Sequence, residues 1–171
     1  MKLLREIYGE NVIKEDFNEL NPNYTVRRAA RAILFNELNQ IAFLNVTKDK
    51  YHKLPGGGIE ENEDIMIALS RELMEEAGVE AAVIDELGMI IEYKPQFKQI
   101  SYCYLAKVVV NKNNPSFTEQ ELNDGFILEW KDLNEAITIL ENDTPQSTLG
   151  KFIIERDLTF LKYYIQQSII E

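Results

Sequence analysis

The chain has 171 residues, 45% hydrophobic and 10% aromatic, with Asp+Glu 29 against Lys+Arg 18 and a formal net charge of -11. This composition excludes a disordered tail-like protein and fits one globular domain able to bury about two-thirds of its unfolded surface. The acidic balance argues against a nucleic-acid polymer as partner, because a polyanion is repelled; a small anionic ligand stays compatible if a metal ion neutralises it locally.

Residues 1–23 read as an N-terminal extension with a strand at Leu3 to Tyr8 and a turn at Asn21-Pro22-Asn23. Tyr24 to Phe35 and Gln40 to Val46 follow as strands around Asn36-Glu37-Leu38-Asn39, the pattern of a hairpin with a loop of about four residues. Tyr51 to Leu54 is a short strand that feeds Pro55-Gly56-Gly57-Gly58. Three consecutive glycines suit a tight turn, and also a backbone that must approach a ligand closely.

Residues 64–77 hold no Pro or Gly, are rich in Leu, Met, Ala and Glu, and stop at Gly78, as a helix does. At about 100° per residue, Glu72, Glu75 and Glu76 share an arc of roughly 100°. Met66, Leu69, Leu73, Met74 and Ala77 cluster on the other side, toward a core. Like charges so close destabilise an isolated helix, and two of them sit near its C-terminus, where the macrodipole also disfavours them. Such a stripe is either a solvated acidic face or the wall of a cation site.

Glu80 to Glu92 and Lys98 to Val110 read as a strand pair around Lys94-Pro95-Gln96, the second strand showing two-residue alternation at Ile100, Tyr102 and Tyr104. Lys112 to Asp124 is a polar loop and Phe126 to Trp130 a further strand. Asp132 with Glu135 three positions later marks a helix start. A last helix spans 147–171, with Phe152, Ile153, Leu158, Leu161 and Ile165 for packing. His52, Cys103 and Trp130 read as structural residues, and no histidine marks a partner for a nucleophilic Cys103.

One spacing stands above the rest. Gly57, Glu63, Arg71-Glu72-Leu73, Glu75-Glu76 and Gly78-Val79 sit at five-, seven-, one- and one-residue intervals. Residues 57–79 resemble a complete Nudix box, the signature of the Nudix (MutT-type) hydrolases, and the order of elements over 24–141 resembles the same family. The resemblance implies an α/β fold, the α/β/α sandwich with a mixed β-sheet, in a single domain over 1–171. It implies that Glu72, Glu75 and Glu76, with the Gly56 carbonyl, hold Mg2+ (or Mn2+), and that Glu63 and Arg71 form an ion pair fixing loop to helix.

The resemblance further implies a magnesium-dependent pyrophosphohydrolase acting on the diphosphate bridge of a nucleoside diphosphate derivative, either ADP-ribose-like or a canonical or oxidised nucleoside triphosphate. Its general base is either a box glutamate or a distal one, here Glu119 or Glu121. The alternative on the same fold is a nucleotide sensor that binds without turnover. Pro95, 16 positions beyond Val79, matches the spacing of ADP-ribose-cleaving members, but Tyr93, Lys94, Gln96 and Phe97 lack the small residues usual around it. Arg27, Arg28 and Arg31 are available to phosphates, and Tyr93 and Phe97 to a base.

The single cysteine excludes an internal disulfide and a Cys-based zinc cluster. Met1-Lys2-Leu3-Leu4-Arg5-Glu6 reaches charged residues too soon for a signal peptide, and no apolar run nears the roughly 20 residues that cross a bilayer. A soluble cytoplasmic protein is expected, with no membrane partner and with a homodimer open to it through the N-terminal strand and C-terminal helix.

Overall fold

The computed structural model describes residues 1–9, 25–112 and 114–169. Its elements in chain order are β1 (Leu3–Tyr8), β2 (Thr25–Phe35), β3 (Ile41–Val46), β4 (Tyr51–Lys53), β5 (Gly56–Gly58), α1 (Ile65–Ala77), β6 (Val79–Tyr93) and β7 (Phe97–Asn111). The short helix α2 (Glu119–Asn123), β8 (Phe126–Lys131), α3 (Leu133–Asn142) and α4 (Thr148–Ser168) complete them. The turn expected at Asn21-Pro22-Asn23 and the strand start at Tyr24 lie outside the described residues.

The sheet runs β1-β6-β7-β2-β3-β4, with β5 added to β2 and β8 to β3. It is mixed, because β1 lies parallel to β6 and β2 parallel to β7, while β6 and β7 form an antiparallel hairpin. Residue alternation along β2 explains the layers. Ala30, Ala32 and Leu34 point toward Leu69, Leu73 and Ala77 of α1. Ile33 and Phe35 point the other way, into a core with Ala136 and Leu140 of α3 and Phe152, Phe160 and Leu161 of α4. Helices therefore cover both faces of the sheet, giving the α/β/α sandwich of the sequence reading.

Four local expectations need correction. β2 and β3 do not form a ladder: they share only the Phe35–Ile41 rung. The edges of β2 are taken by β7 along its whole length and by β5 at Ala29 to Arg31. The glycine run is a short strand rather than only a turn, and the stretch read as polar loop contains α2, started by a capping box between Thr118 and Glu121. On α1, Met66 is exposed, whereas Glu72 and Glu76 are buried. The acidic stripe is thus not a solvated face.

Candidate functional site

The caps of α1 set the geometry of everything around it. Asp64 accepts the Met66 and Ile67 amides at the N-terminus, and Gly78 closes the C-terminus at φ 66. Between those ends the helix lies along β5, so the glycines face Glu72 and Glu76. Gly56 has φ 127, and a Cβ there would sit 2.2 Å from the Ala30 carbonyl oxygen. A Cβ on Gly57 would sit 2.4 Å from the Glu72 carboxyl group. Only bare backbone allows this approach.

Arg71 ties the loop to the helix. Its Nε and Nη2 donate to the two Glu63 oxygens, both at 3.0 Å, in the planar fork that guanidinium and carboxylate share. Nη2 also donates to the Gly58 carbonyl at 3.0 Å, and Nη1 donates to Glu72 at 2.8 Å and reaches Glu75 at 3.5 Å. The hydrogen bond from Arg71, helped by the Glu60 amide, holds the Glu63 carboxyl below its ordinary range. Glu63 and Arg71 are brought together, as the resemblance implied.

Glu76 is 1% exposed. It accepts the Gly56 amide and the Lys53 ammonium, each at 2.6 Å. Burial pushes its carboxyl up, against the opposing pull of Lys53. The same Lys53 ammonium donates to the Gly56 carbonyl at 3.2 Å, and that carbonyl also accepts from Arg31.

Three carboxylates and a carbonyl are the hard oxygen donors magnesium prefers. Lys53 already places a positive charge between two of them, Gly56 and Glu76, so this point of the fold suits a cation. Among the described residues no three acidic side chains converge on one point. Glu72 and Glu75 turn to Arg71, and Glu76 turns to Lys53. The donor set fits the metal in its chemistry, and the chain's own cations hold its members apart.

A cleft of about 590 Å³ opens beside β5. Lys53, Gly58, Arg27 and Arg31 line one side, the turn Lys94-Pro95-Gln96 with Phe97 another, and Phe152 and Arg156 of α4 the floor. Pro95 therefore does border the cleft. Glu121 lines it too, although its carboxylate accepts from the Thr118 amide and hydroxyl at 2.7 and 2.9 Å; Glu119 is not in the lining. Phe97 lies under Arg27 at 5.0 Å, whereas Tyr93 stacks on Tyr8 at 4.7 Å, away from the lining.

His52 binds Asp143 through its amide and ring and stacks on Phe43, a structural role. Cys103 is fully buried, and burial pushes its thiol up.

Lys53, Lys94, Arg156 and Asp157 did not stand out in the sequence. Arg156 and Asp157 sit on the buried stripe of α4 with Phe152, Ile153, Phe160 and Leu161. A charged pair at the i+3/i+4 positions of an apolar stripe was the available signal. Asp157 accepts the Leu54 amide at 2.9 Å, so α4 anchors the strand that leads into the glycines.

Comparison with known proteins accords with this arrangement. The NUDIX domain matches residues 25–149, and the chain belongs to the Nudix hydrolase family. It is 30% identical over 122 residues to the diphosphoinositol polyphosphate phosphohydrolase NUDT4B of Homo sapiens, across 70% of this chain and 65% of the relative. The chain thus spans less than two-thirds of the length of that curated relative. The fold is similar to a MutT protein from Methanosarcina mazei Go1 (TM-score 0.60, 16% identity, 86% of this chain and 99% of that one). It is also similar to the C. elegans Ap4A hydrolase (TM-score 0.57, 18% identity, 86% and 100%). No helix among the described residues is long and apolar enough to cross a membrane.

Proposed function

We propose that this chain is a magnesium-dependent pyrophosphohydrolase that cleaves the diphosphate bridge of a small nucleoside diphosphate derivative in the cytoplasm. The observation that carries it is the placement of Glu72, Glu75 and Glu76 on α1 against Gly56–Gly58, with Arg71 locking loop to helix. Glu72, Glu75, Glu76 and the Gly56 carbonyl would hold the metal. When bound, magnesium supplies charge neutralisation at the phosphoryl oxygens and acidifies water for in-line attack.

The chain's own groups do the positioning. Arg71 keeps Glu63, Glu72 and the Gly58 carbonyl in one unit, and metal binding would require Glu72, Glu75 and Glu76 to turn from Arg71 and Lys53 toward a shared ion. Arg27 at the rim and Arg31 behind the Gly56 carbonyl add positive charge where phosphates would lie. A box glutamate serves as base, or Glu121 from the cleft wall; Glu119 lies outside the lining. The relative's name adds diphosphoinositol polyphosphates to the substrates worth testing.

A second reading, a nucleotide sensor without turnover, draws on the pairing of the presumed ligands with Lys53 and Arg71, which compensates their charge without a metal. One panel separates the two: purified chain with magnesium against ADP-ribose, 8-oxo-dGTP, NADH, diadenosine polyphosphates and a diphosphoinositol polyphosphate, with products identified. Turnover of one, lost in Glu75→Gln and Glu76→Gln, is the expected result. Tight binding of one with turnover of none would establish the sensor instead.

A further inference from the structure

The cleft is lined by buried cations in a protein whose net charge is -11. Arg31, Lys94 and Arg156 all line it, and all are at least nine-tenths buried, at 8, 4 and 0% exposure. Three carboxylates lie near them; Glu76, beside Arg31, is already taken by Lys53, which leaves two for this set. Asp157 takes Nε and Nη2 of Arg156 at 2.7 and 3.1 Å. Glu92 takes Lys94 at 3.1 Å, and it also accepts from Gln99 and Ser101 at 2.9 Å. Three cations against two carboxylates leave one positive charge uncompensated.

The hydrogen-bond ledger has a matching gap. Nη1 of Arg156 lies 3.8 Å from Glu92, too far for a hydrogen bond, and makes none among the described residues. Nε of Arg31 is likewise without a partner among them. Buried guanidinium nitrogens are costly to leave unpaired. Both belong to residues that border a cleft large enough to admit a ligand. Two arginines, each with one unpartnered nitrogen, and a lysine beside them match the oxygens of a phosphoryl group.

Resting on the hydrolase reading of the adjoining glycine loop, we propose that Arg31, Lys94 and Arg156 bind an additional phosphoryl group of the substrate, one that does not take part in the cleaved bridge. The substrate class is then a phosphoanhydride bearing a further phosphate, either a third phosphoryl in line or a phosphate ester elsewhere on the molecule. A substrate with only the two bridging phosphates would leave these three cations unfilled. Lys53 and Gly58 line the same cleft, so both subsites share one open space.

The test is made without metal, which separates it from catalysis. Inorganic phosphate is titrated by calorimetry into the chain in excess EDTA. Saturable binding is expected, weakened on the order of tenfold in Lys94→Met and in Arg156→Lys, and unchanged in Lys162→Met on the exposed side of α4. Circular dichroism identifies any variant that fails to fold, and Lys94→Met keeps Arg156, Gln99 and Ser101 around Glu92. No saturable binding to the unaltered chain, or equal binding by folded Lys94→Met, overturns the proposal. A chain that binds phosphate this way yet turns over no phosphoanhydride overturns the hydrolase reading alone. Triphosphates and phosphate esters, competed against inorganic phosphate in the same buffer, then show which source displaces it.

Discussion

Lys53 and Glu76 form a buried ion pair, 2.6 Å from Nζ to Oε1, at the point where the Gly56 carbonyl also faces. A metal held as proposed by Glu76 and the Gly56 carbonyl would contend with Lys53 for the same oxygens. In Lys53→Met the Glu76 carboxylate loses its partner and stays buried, which typically costs about 3–5 kcal/mol. The variant is expected to melt lower than the parent without metal and to gain more in Tm on adding magnesium. Equal magnesium-induced shifts in the two proteins would show that Lys53 and the metal do not compete.

The glycines make separable predictions. Gly57→Ala puts a methyl against the Glu72 carboxylate, the movable end of a side chain. Mn2+ binding, followed by electron paramagnetic resonance, should weaken while the melting temperature falls little. Gly56→Ala meets the backbone of Ala30 at a φ that L-residues rarely adopt. It should cost about 1–3 kcal/mol in chemical denaturation. The reverse order of effects would mean that the two glycines were wrongly assigned.

Glu63 predicts an acid limb. Its folded-state pKa lies below the ordinary 4.5 because Arg71 donates to it. Its contribution to stability is thus complete above 4.5 and is lost as pH falls through the folded value. Glu63→Gln should flatten this part of the pH–stability curve and loosen the loop–helix lock, lowering kcat more than it raises KM. An unchanged acid limb in Glu63→Gln would exclude the pair as its source.

Local chemistry made much of this fold readable. Asp64 and Gly78 mark the ends of α1, the alternation of Ile100, Tyr102 and Tyr104 marks β7, and Ser147 caps α4 at the expected start. The Glu63–Arg71 pairing was legible through the resemblance of residues 57–79 to the Nudix box, and not through spacing alone. What stayed hidden depends on contacts far apart in sequence. Arg31 meets Gly56 only because β5 pairs with β2, and Arg156 meets Glu92 only because α4 crosses the sheet. β2 looked like half of a hairpin because local turn signals say nothing of β7, whose residues pair with it from 72 positions away (Thr25 with Phe97, 97 − 25 = 72). Such couplings leave no periodic trace in either segment alone.

Lys94 supplies the alkaline counterpart. Burial lowers its pKa from 10.5 to about 8, with Glu92 pulling the other way. The unfolded chain therefore holds a proton on this lysine that the folded chain gives up as pH rises through about 8. Stability should increase with pH from that point, by roughly 3 kcal/mol if the whole interval to 10.5 acted alone. Tyr51 and Tyr93 work in the opposite sense. Their hydroxyls are pushed up from 10 to about 12, by burial in Tyr51 and by the hydrogen bond to Glu6 in Tyr93. Their share is lost as pH rises through those folded values, so the lysine is read most cleanly between pH 8 and 10. Urea denaturation across that interval should show a rising limb in the parent chain and a flat one in Lys94→Met. A parent curve that is already flat there would mean that Lys94 keeps its ordinary proton affinity, and that Glu92 fully offsets the burial.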